Sequence, residues 1–243
     1  QSNKNTTYTG IIAGASVDDY NNGVIKIHEQ TLTAREEVFK RYLDICEFNA
    51  EPVLLTYKDN STIRDVMQKH ISTRAEYEFT TTDLLKHELW IIDDENDIAT
   101  IQNEFENIND IYIADGHHRS SSSALLANSR KENNPNHKGN ETYNAFMAFF
   151  IPQKSLDIFD FNRLVKEIDI SEAELISKIE EHFSVEKVGL DYKPEHLHEF
   201  TLHTSNSNYK LGLKNPLENP NAVEKLDAHI LSTHILEPIL GVK

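Results

Sequence analysis

Short apolar runs and longer helix-like periods alternate along the first two thirds of the chain. Runs rich in β-branched and aromatic residues predict strands at 8–15, 23–28, 52–57, 77–80, 87–93, 111–114 and 143–151. Between them, apolar positions at helical spacing predict helices over 33–48, 61–71, 96–107 and 120–130. Because strands and helices alternate, we expect a mixed α/β (α+β) domain in which helices flank a mixed sheet.

Two local signals refine the N-terminal part of this picture. Asn22 and Gly23 end a polar stretch at 18–23 that suits a tight turn, which predicts an antiparallel hairpin of the first two strands. Thr33 and Glu36 have the spacing of a capping box, so we expect the next helix to have Thr33 as its N-cap.

The residues after Pro152 form a region with a lower density of apolar positions. Their pattern predicts helices over 171–183 and 222–236, with strands at 185–188, 199–203 and 209–213 between them. We therefore expect two parts, an α/β core over 1–152 and a smaller α+β region over 153–243 that packs on it.

Composition and charge restrict the classes of partner. Of the 243 residues, 38% are apolar and 26% are charged, which is ordinary for a globular chain with a sizeable core. The formal charge of −16 is spread along the chain without a Lys/Arg block, which disfavours nonspecific binding to nucleic acid or to an anionic membrane. The single Cys46 excludes an internal disulfide, and no apolar stretch approaches the roughly 20 residues that span a bilayer. We expect a cytoplasmic protein, and a homodimer is compatible with this composition.

The strongest chemical signal is the sequence Asp-Gly-His-His-Arg at 115–119, between a predicted strand and a predicted helix. A helix N-terminus presents amide groups without intrahelical partners and about half a positive charge, so it favours an anion. Gly116 permits close backbone approach, while His117, His118 and Arg119 add one fixed and two switchable donors. Since cations at a helix N-terminus oppose the dipole, three of them together indicate a bound anion. We predict a site for the phosphates of a nucleotide.

Other interpretations of this motif stay open. Asp115 can simply cap the helix and Gly116 supply the turn, with two structural histidines behind them. Asp115, His117 and His118 are also metal-ligand types, although neighbouring histidines on a helix point about 100° apart. A magnesium ion held jointly by Asp115 and phosphate oxygens is a further alternative.

Two further groups are candidates outside the motif. Glu29 ends the second predicted strand, ahead of hydroxyl residues and Arg35, and has the chemistry of a general base that also orients substrate. The alternative for Glu29 is a solvated strand end that pairs with Lys26 or Arg35. The serines at 120–123 lack a Gly-x-Ser-x-Gly elbow, so we interpret them as small residues that let the helix pack closely.

These residues also carry a resemblance to a known family. The sequence resembles the domain-of-unknown-function family ten-fifteen, whose members are often described as chromosome-partitioning ParB-like proteins. The similar stretches are 8–12 (YTGII), 23–31 (GVIKIHEQT), 52–57 (PVLLTY), 112–120 (YIADGHHRS) and 226–231 (LDAHIL). Family members are generally longer, with a Pro-Pro-Tyr-Asp stretch before this sequence and further residues after the final helix, so the resemblance leaves open whether those segments complete the site.

The Gly-His-His-Arg block is similar to the phosphate-binding turn of the wider ParB, sulfiredoxin and free-serine-kinase superfamily, whose members bind CTP, ATP or ADP at this helix start. This resemblance implies a ParB/sulfiredoxin-like core. It places phosphate on the residues Gly116, His117, His118, Arg119 and Ser120. In the serine kinases the matching aspartate helps catalysis, which implies a role for Asp115 toward magnesium or substrate.

Three classes of function compete at this stage. The first is a nucleotide-dependent phosphotransferase that acts on a small hydroxyl metabolite, with ATP, ADP or CTP and Mg²⁺ as cofactors and with Asp115 and Glu29 as catalytic residues. The second is a non-catalytic nucleotide-binding switch or interaction module that uses the same turn. The third, a ParB-like DNA-associated protein, is disfavoured because the sequence contains neither a basic patch nor a recognition helix.

Overall fold

A computed structural model describes residues 6–29, 31–157, 162–215, 220–221 and 223–242. By internal contacts the chain divides into two units, Gln1–Phe159 and Asp160–Lys243. In the first unit the strands are β1 (Ile11–Ser16), β2 (Ile25–Lys26), β3 (Val53–Tyr57), β4 (Tyr77–Thr80), β5 (Lys86–Leu89), β6 (Ile111–Asp115) and β7 (Ala145–Pro152). Its α-helices are α1 (Val17–Asn21), α2 (Thr33–Cys46), α3 (Ser61–Ile71), α4 (Glu95–Glu106) and α5 (His117–Glu132), and short 3₁₀ turns occur at Thr142–Asn144 and Gln153–Ser155.

Five of these strands form one mixed sheet in the order β1-β7-β3-β6-β2. β7 is antiparallel to β1 and parallel to β3, while β6 is antiparallel to β3 and parallel to β2. β4 and β5 form a separate two-stranded sheet. The predicted α/β fold with a mixed sheet and flanking helices is therefore confirmed.

The predicted antiparallel hairpin of the first two strands is wrong. β1 pairs with β7, and β2 pairs with β6, so the two strands lie at opposite edges of the sheet. The residues between them begin helix α1, because the Ser16 side chain accepts a hydrogen bond from the Asp19 amide and Val17 is buried. An N-cap and an acidic first turn favour a helix start over a hairpin turn.

The core of the first unit lies against the middle of the sheet. Leu55 of β3, Ile113 of β6 and Ala148 of β7 are completely buried. Helix α3 buries Ile63 and Met67, four positions apart, because residues at this spacing share one helix face. Strand β6, which leads into the motif at 115–119, is thereby held in the core.

The second unit contains a smaller antiparallel sheet with its own core. Strands β8 (Phe183–Val188), β9 (Glu199–His203) and β10 (Asn208–Leu213) pair in the order β8-β10-β9. Its helices are α6 (Glu172–Ile179) and α7 (Asp227–Leu231), the latter continued by a π-helical turn at Ser232–Leu236. The predicted helix over 171–183 ends early because Phe183 is a buried residue of β8. Residue 222, where the last helix was predicted to begin, lies outside the described residues.

None of the helices within the described ranges combines the length and the apolar composition needed to cross a membrane.

Candidate functional site

The motif at 115–119 lies where β6 passes directly into α5. Asp115 ends the strand, Gly116 occupies the N-cap with φ 99° and ψ 30°, and His117 is the first helical residue. A positive φ of this kind costs glycine little and other residues considerably more. The helix start has no side-chain cap and no acidic residue in its first turn. Its first amide groups therefore point outward without the partner that a cap would supply.

Helices α3 and α4 of the same unit each have a side-chain cap at their start. Asn60 accepts from the Ile63 amide at the start of α3, and Asp94 accepts from two amides at the start of α4. Such caps satisfy donors that an anion would otherwise bind. The start of α5 differs from both in having no side-chain cap.

Arg119 folds back over the turn. Its guanidinium donates hydrogen bonds to the Asp115 carboxylate and to the Pro52 carbonyl, and Nη1 lies 3.3 Å from Oε2 of Glu51. The side chain is 23% exposed. These contacts tie the beginning of β3 to the end of β6. Because a guanidinium has five N–H donors, the two hydrogen bonds leave part of it uncommitted.

Gly116 and Arg119 also constrain each other sterically. A Cβ atom at Gly116 would lie 3.1 Å from Nε and 3.2 Å from Cζ of Arg119. The turn therefore requires glycine both for its backbone conformation and for the space above it.

His117 is buried and stands against a second segment of the chain. Its Nδ1 lies 3.4 Å from Oε2 of Glu29, and the His28 ring meets it edge to face with centroids 4.4 Å apart. Burial lowers the pKa of His117 and the neighbouring His28 lowers it further, while Glu29 and Asp115 act in the opposite direction. The net shift favours the neutral form of this imidazole.

The hydrogen-bonding state of His117 follows from these contacts. A carboxylate only accepts hydrogen bonds, so Glu29 favours the tautomer that carries its proton on Nδ1. Nε2 is then an acceptor, and it is buried with no hydrogen-bond partner among the described residues. Nδ1 of His118 is buried without a partner there as well. Buried polar atoms are normally satisfied, so these two nitrogens indicate that a ligand or water completes the site.

Ser120 has a structural role in the turn. It is completely buried, and its amide and its hydroxyl both donate to the Gly116 carbonyl, at 2.9 and 3.1 Å. Neither donor is free for a ligand, so the predicted phosphate contact of Ser120 is not part of the arrangement.

The two carboxylates assigned from the sequence remain accessible to solvent. The side chain of Asp115 is 71% exposed and that of Glu29 is 62% exposed. The structure brings Asp115 to Arg119 and Glu29 to His117. No cluster of three or more His, Cys, Asp or Glu residues within the described ranges is arranged to hold a metal ion. The joint magnesium site on Asp115 and phosphate oxygens stays a prediction.

The predicted capping box at the start of α2 is wrong. Leu32 occupies the N-cap without a side-chain hydrogen bond, and Thr33 is already helical. The Glu36 carboxylate accepts hydrogen bonds from the hydroxyls of Thr31 and Ser121. Two hydroxyl donors on neighbouring elements satisfy the carboxylate better than one exposed amide does.

The serines of α5 pack against α2, as their small size predicts. Ser121 and Ser122 are buried, and the Ser122 hydroxyl donates to the Glu36 carbonyl at 3.0 Å. Sequence reasoning missed the role of Glu36, although a run of serines on a buried helix face is a signal that their hydroxyls have a partner. It also missed Glu51 and Pro52, whose contacts with Arg119 arise only from the pairing of β3 with β6.

Comparison with known proteins identifies a family. The model of a family described as "Protein of unknown function (DUF1015)" matches residues 1–229, which include every residue of this site. No curated protein and no solved structure matches the chain.

Proposed function

The chain belongs to the DUF1015 family, and we propose that it binds the phosphate groups of a nucleotide at the start of α5. The observation that carries this proposal is the uncapped helix start behind a left-handed glycine. Unpaired amides and the positive end of the helix dipole favour phosphate over any neutral ligand. The buried Nδ1 of His118, unpartnered within the described ranges, supports the same location, because a protonated ring nitrogen can donate to phosphate.

In this proposal both backbone amides and the Arg119 side chain bind the phosphate. The amides of Gly116, His117 and His118 surround one phosphate group, and Arg119 adds a charge-assisted bond from above. Phosphate competes with Asp115 for the guanidinium, because Asp115 and Arg119 already form an ion pair. A magnesium ion that binds Asp115 and phosphate oxygens together would offset this competition.

We further propose that the bound nucleotide donates its terminal phosphoryl group to a small hydroxyl metabolite. The acceptor oxygen forms a bond to phosphorus as the bond to the departing nucleotide oxygen breaks, and the hydroxyl proton passes to a base. The Glu29–His117 pair supports such chemistry, because the Nδ1–H tautomer leaves Nε2 able to accept a hydroxyl proton. The likeness to ParB, sulfiredoxin and free-serine kinases rests on the Gly-His-His-Arg block and is part of this proposal.

A second function is favoured by the contacts of Arg119. The Asp115 carboxylate and the Pro52 carbonyl accept hydrogen bonds from this side chain. A nucleotide that binds the guanidinium in their place would break the hydrogen bonds by which Arg119 connects β3 and β6. A non-catalytic nucleotide switch would work through such an exchange.

Thermal unfolding of the wild-type chain with ATP, ADP, CTP, GTP or pyrophosphate, each with and without Mg²⁺, tests phosphate binding. A ligand at 100 times its Kd adds roughly 2.7 kcal/mol to the stability, which raises Tm by about 5 °C or more.

The Asp115→Asn variant separates the enzyme from the non-catalytic switch. An enzyme keeps nucleotide binding within about tenfold but loses most phosphoryl transfer to hydroxyl acceptors. A wild type that binds nucleotide but consumes none with any acceptor is a switch.

A further inference from the structure

A polar bridge connects the segment before α2 to α5. We use the name Glu36 bridge for the residues Thr31, Glu36 and Ser121. Oε1 of Glu36 accepts hydrogen bonds from both the Thr31 hydroxyl and the Ser121 hydroxyl. Ser121 is buried, and Ser122 beside it donates to the Glu36 backbone. One carboxylate oxygen thus connects two segments that are 90 residues apart in sequence, Thr31 and Ser121.

The bridge keeps the Glu36 carboxylate ionised between the two helices. Hydrogen bonds from Ser121 first, and from Thr31 second, lower the pKa of Glu36. A carboxylate at a helix interface costs free energy unless donors satisfy it. Apolar residues could fill this interface without such a cost, so the polar arrangement indicates a requirement beyond packing.

The position of the bridge indicates what that requirement is. Thr31 follows closely after His28 and Glu29, the residues that contact His117. Ser121 lies four residues after His117, one turn along the same face of α5. Both ends of the bridge are therefore adjacent to the contact between His117 and the segment that carries Glu29.

We propose that Glu36 is a positioning residue for the phosphate site, and that its hydrogen bonds to Thr31 and Ser121 hold His28 and Glu29 against His117. This proposal rests on the proposed function for the identity of the site. Glu36 itself touches no ligand, and its effect passes through the orientation of His117.

Matched serine variants test the proposal. Ser121→Ala removes a hydroxyl of the bridge, whereas Ser123→Ala removes a hydroxyl that donates at 2.8 Å to the Arg119 carbonyl within α5. Thr31→Val removes the other donor. One readout is the chemical shift of the His117 imidazole signals, which the perpendicular His28 ring changes. The other is the Kd for pyrophosphate, measured by calorimetry.

Ser121→Ala and Thr31→Val are expected to move the His117 signals toward those of a histidine without a ring neighbour. They should weaken pyrophosphate binding about three- to tenfold, the loss that one hydrogen bond accounts for. Ser123→Ala should change neither readout. Glu36→Gln, whose amide oxygen can accept from both hydroxyls, should retain the His117 signals that Glu36→Ala loses.

Wild-type His117 signals and wild-type affinity in both Ser121→Ala and Thr31→Val would overturn the positioning role. If Ser121→Ala does not fold, Thr31→Val alone decides, because Thr31 lies outside the helices. Absence of pyrophosphate binding by the folded wild type would overturn the proposed function instead. The His117 signals would then still show whether the bridge positions the histidine, and unchanged signals would overturn that part too.

Discussion

Comparing alanine substitutions at Gly116 and Gly139 separates backbone strain from a steric clash with Arg119. Gly116→Ala forces an L-residue into a left-handed conformation, at a cost of about 1–2 kcal/mol, and it also pushes on the Arg119 guanidinium. Gly139 has a similar φ of 90° but nothing within 4 Å of a Cβ atom, so Gly139→Ala carries only the strain. Urea unfolding should show a larger loss of stability for Gly116→Ala, and phosphate binding should fall only there. Equal losses in the two variants would argue against a close Arg119–Gly116 contact.

Arg119 should contribute to phosphate binding through its fork of donors. Arg119→Ala removes a charge-assisted bond worth roughly 1.5–3 kcal/mol, whereas Arg119→Lys keeps the charge without the fork and should lose less affinity. Calorimetry with pyrophosphate measures the difference. Arg130→Ala, at the other end of α5 where Arg130 pairs with Asp44, is the matched control. Wild-type affinity in Arg119→Ala would remove Arg119 from the site.

The residue scale is also where sequence reasoning was least complete. The motif predicted which side chains gather at the helix start, but not that Asp115 and Pro52 occupy part of the Arg119 guanidinium. It also did not predict that burial lowers the pKa of His117. Both facts depend on which strand lies beside β6, and no local pattern encodes that neighbour.

At the scale of elements, the spacing of apolar residues predicted helices and strands correctly where those residues form the buried face. The bounds of α3 (Ser61–Ile71) are those predicted, because the residues of its buried face recur at helical spacing and Asn60 caps its start. Helix α5 begins earlier than predicted, at His117, because the left-handed Gly116 starts the helix directly at the strand end. The hairpin failed because strand partners far apart in sequence, and not the turn residues, decided the pairing.

Burial of His117 at the start of α5 should make stability depend on pH. The pKa of His117 is lowered in the folded state, so the unfolded chain binds the proton more readily. Stability should therefore fall as pH decreases below the ordinary imidazole pKa of about 6.5, and the loss should stop below the folded-state pKa.

Urea unfolding of wild type and of His117→Gln between pH 7.5 and pH 5 measures this effect. The stability difference between the two proteins should change with pH, because only the wild type has the buried imidazole at this position. A difference that is constant across this range would mean that burial does not shift the pKa of His117.

At the scale of the whole molecule, the proposed anion site lies in a chain with a formal charge of −16. Glu29, Glu51 and Asp115 all lie close to the motif. Their repulsion opposes a polyphosphate, so the proposed binding depends on the local donors of the turn and on a cation that reduces the charge of the ligand. Magnesium is therefore part of the proposal, since it reduces the charge that the bound ligand brings.

Backbone amide NMR signals, followed during a titration with magnesium pyrophosphate, show directly whether phosphate binds at the start of α5. We expect the largest changes at Gly116, His117, His118 and Arg119, because their N–H groups donate to the ligand. Amides at the capped starts of α3 and α4 should stay unchanged. Unchanged signals at 116–119 under saturating ligand, or larger changes elsewhere in the chain, would contradict phosphate binding at this helix start.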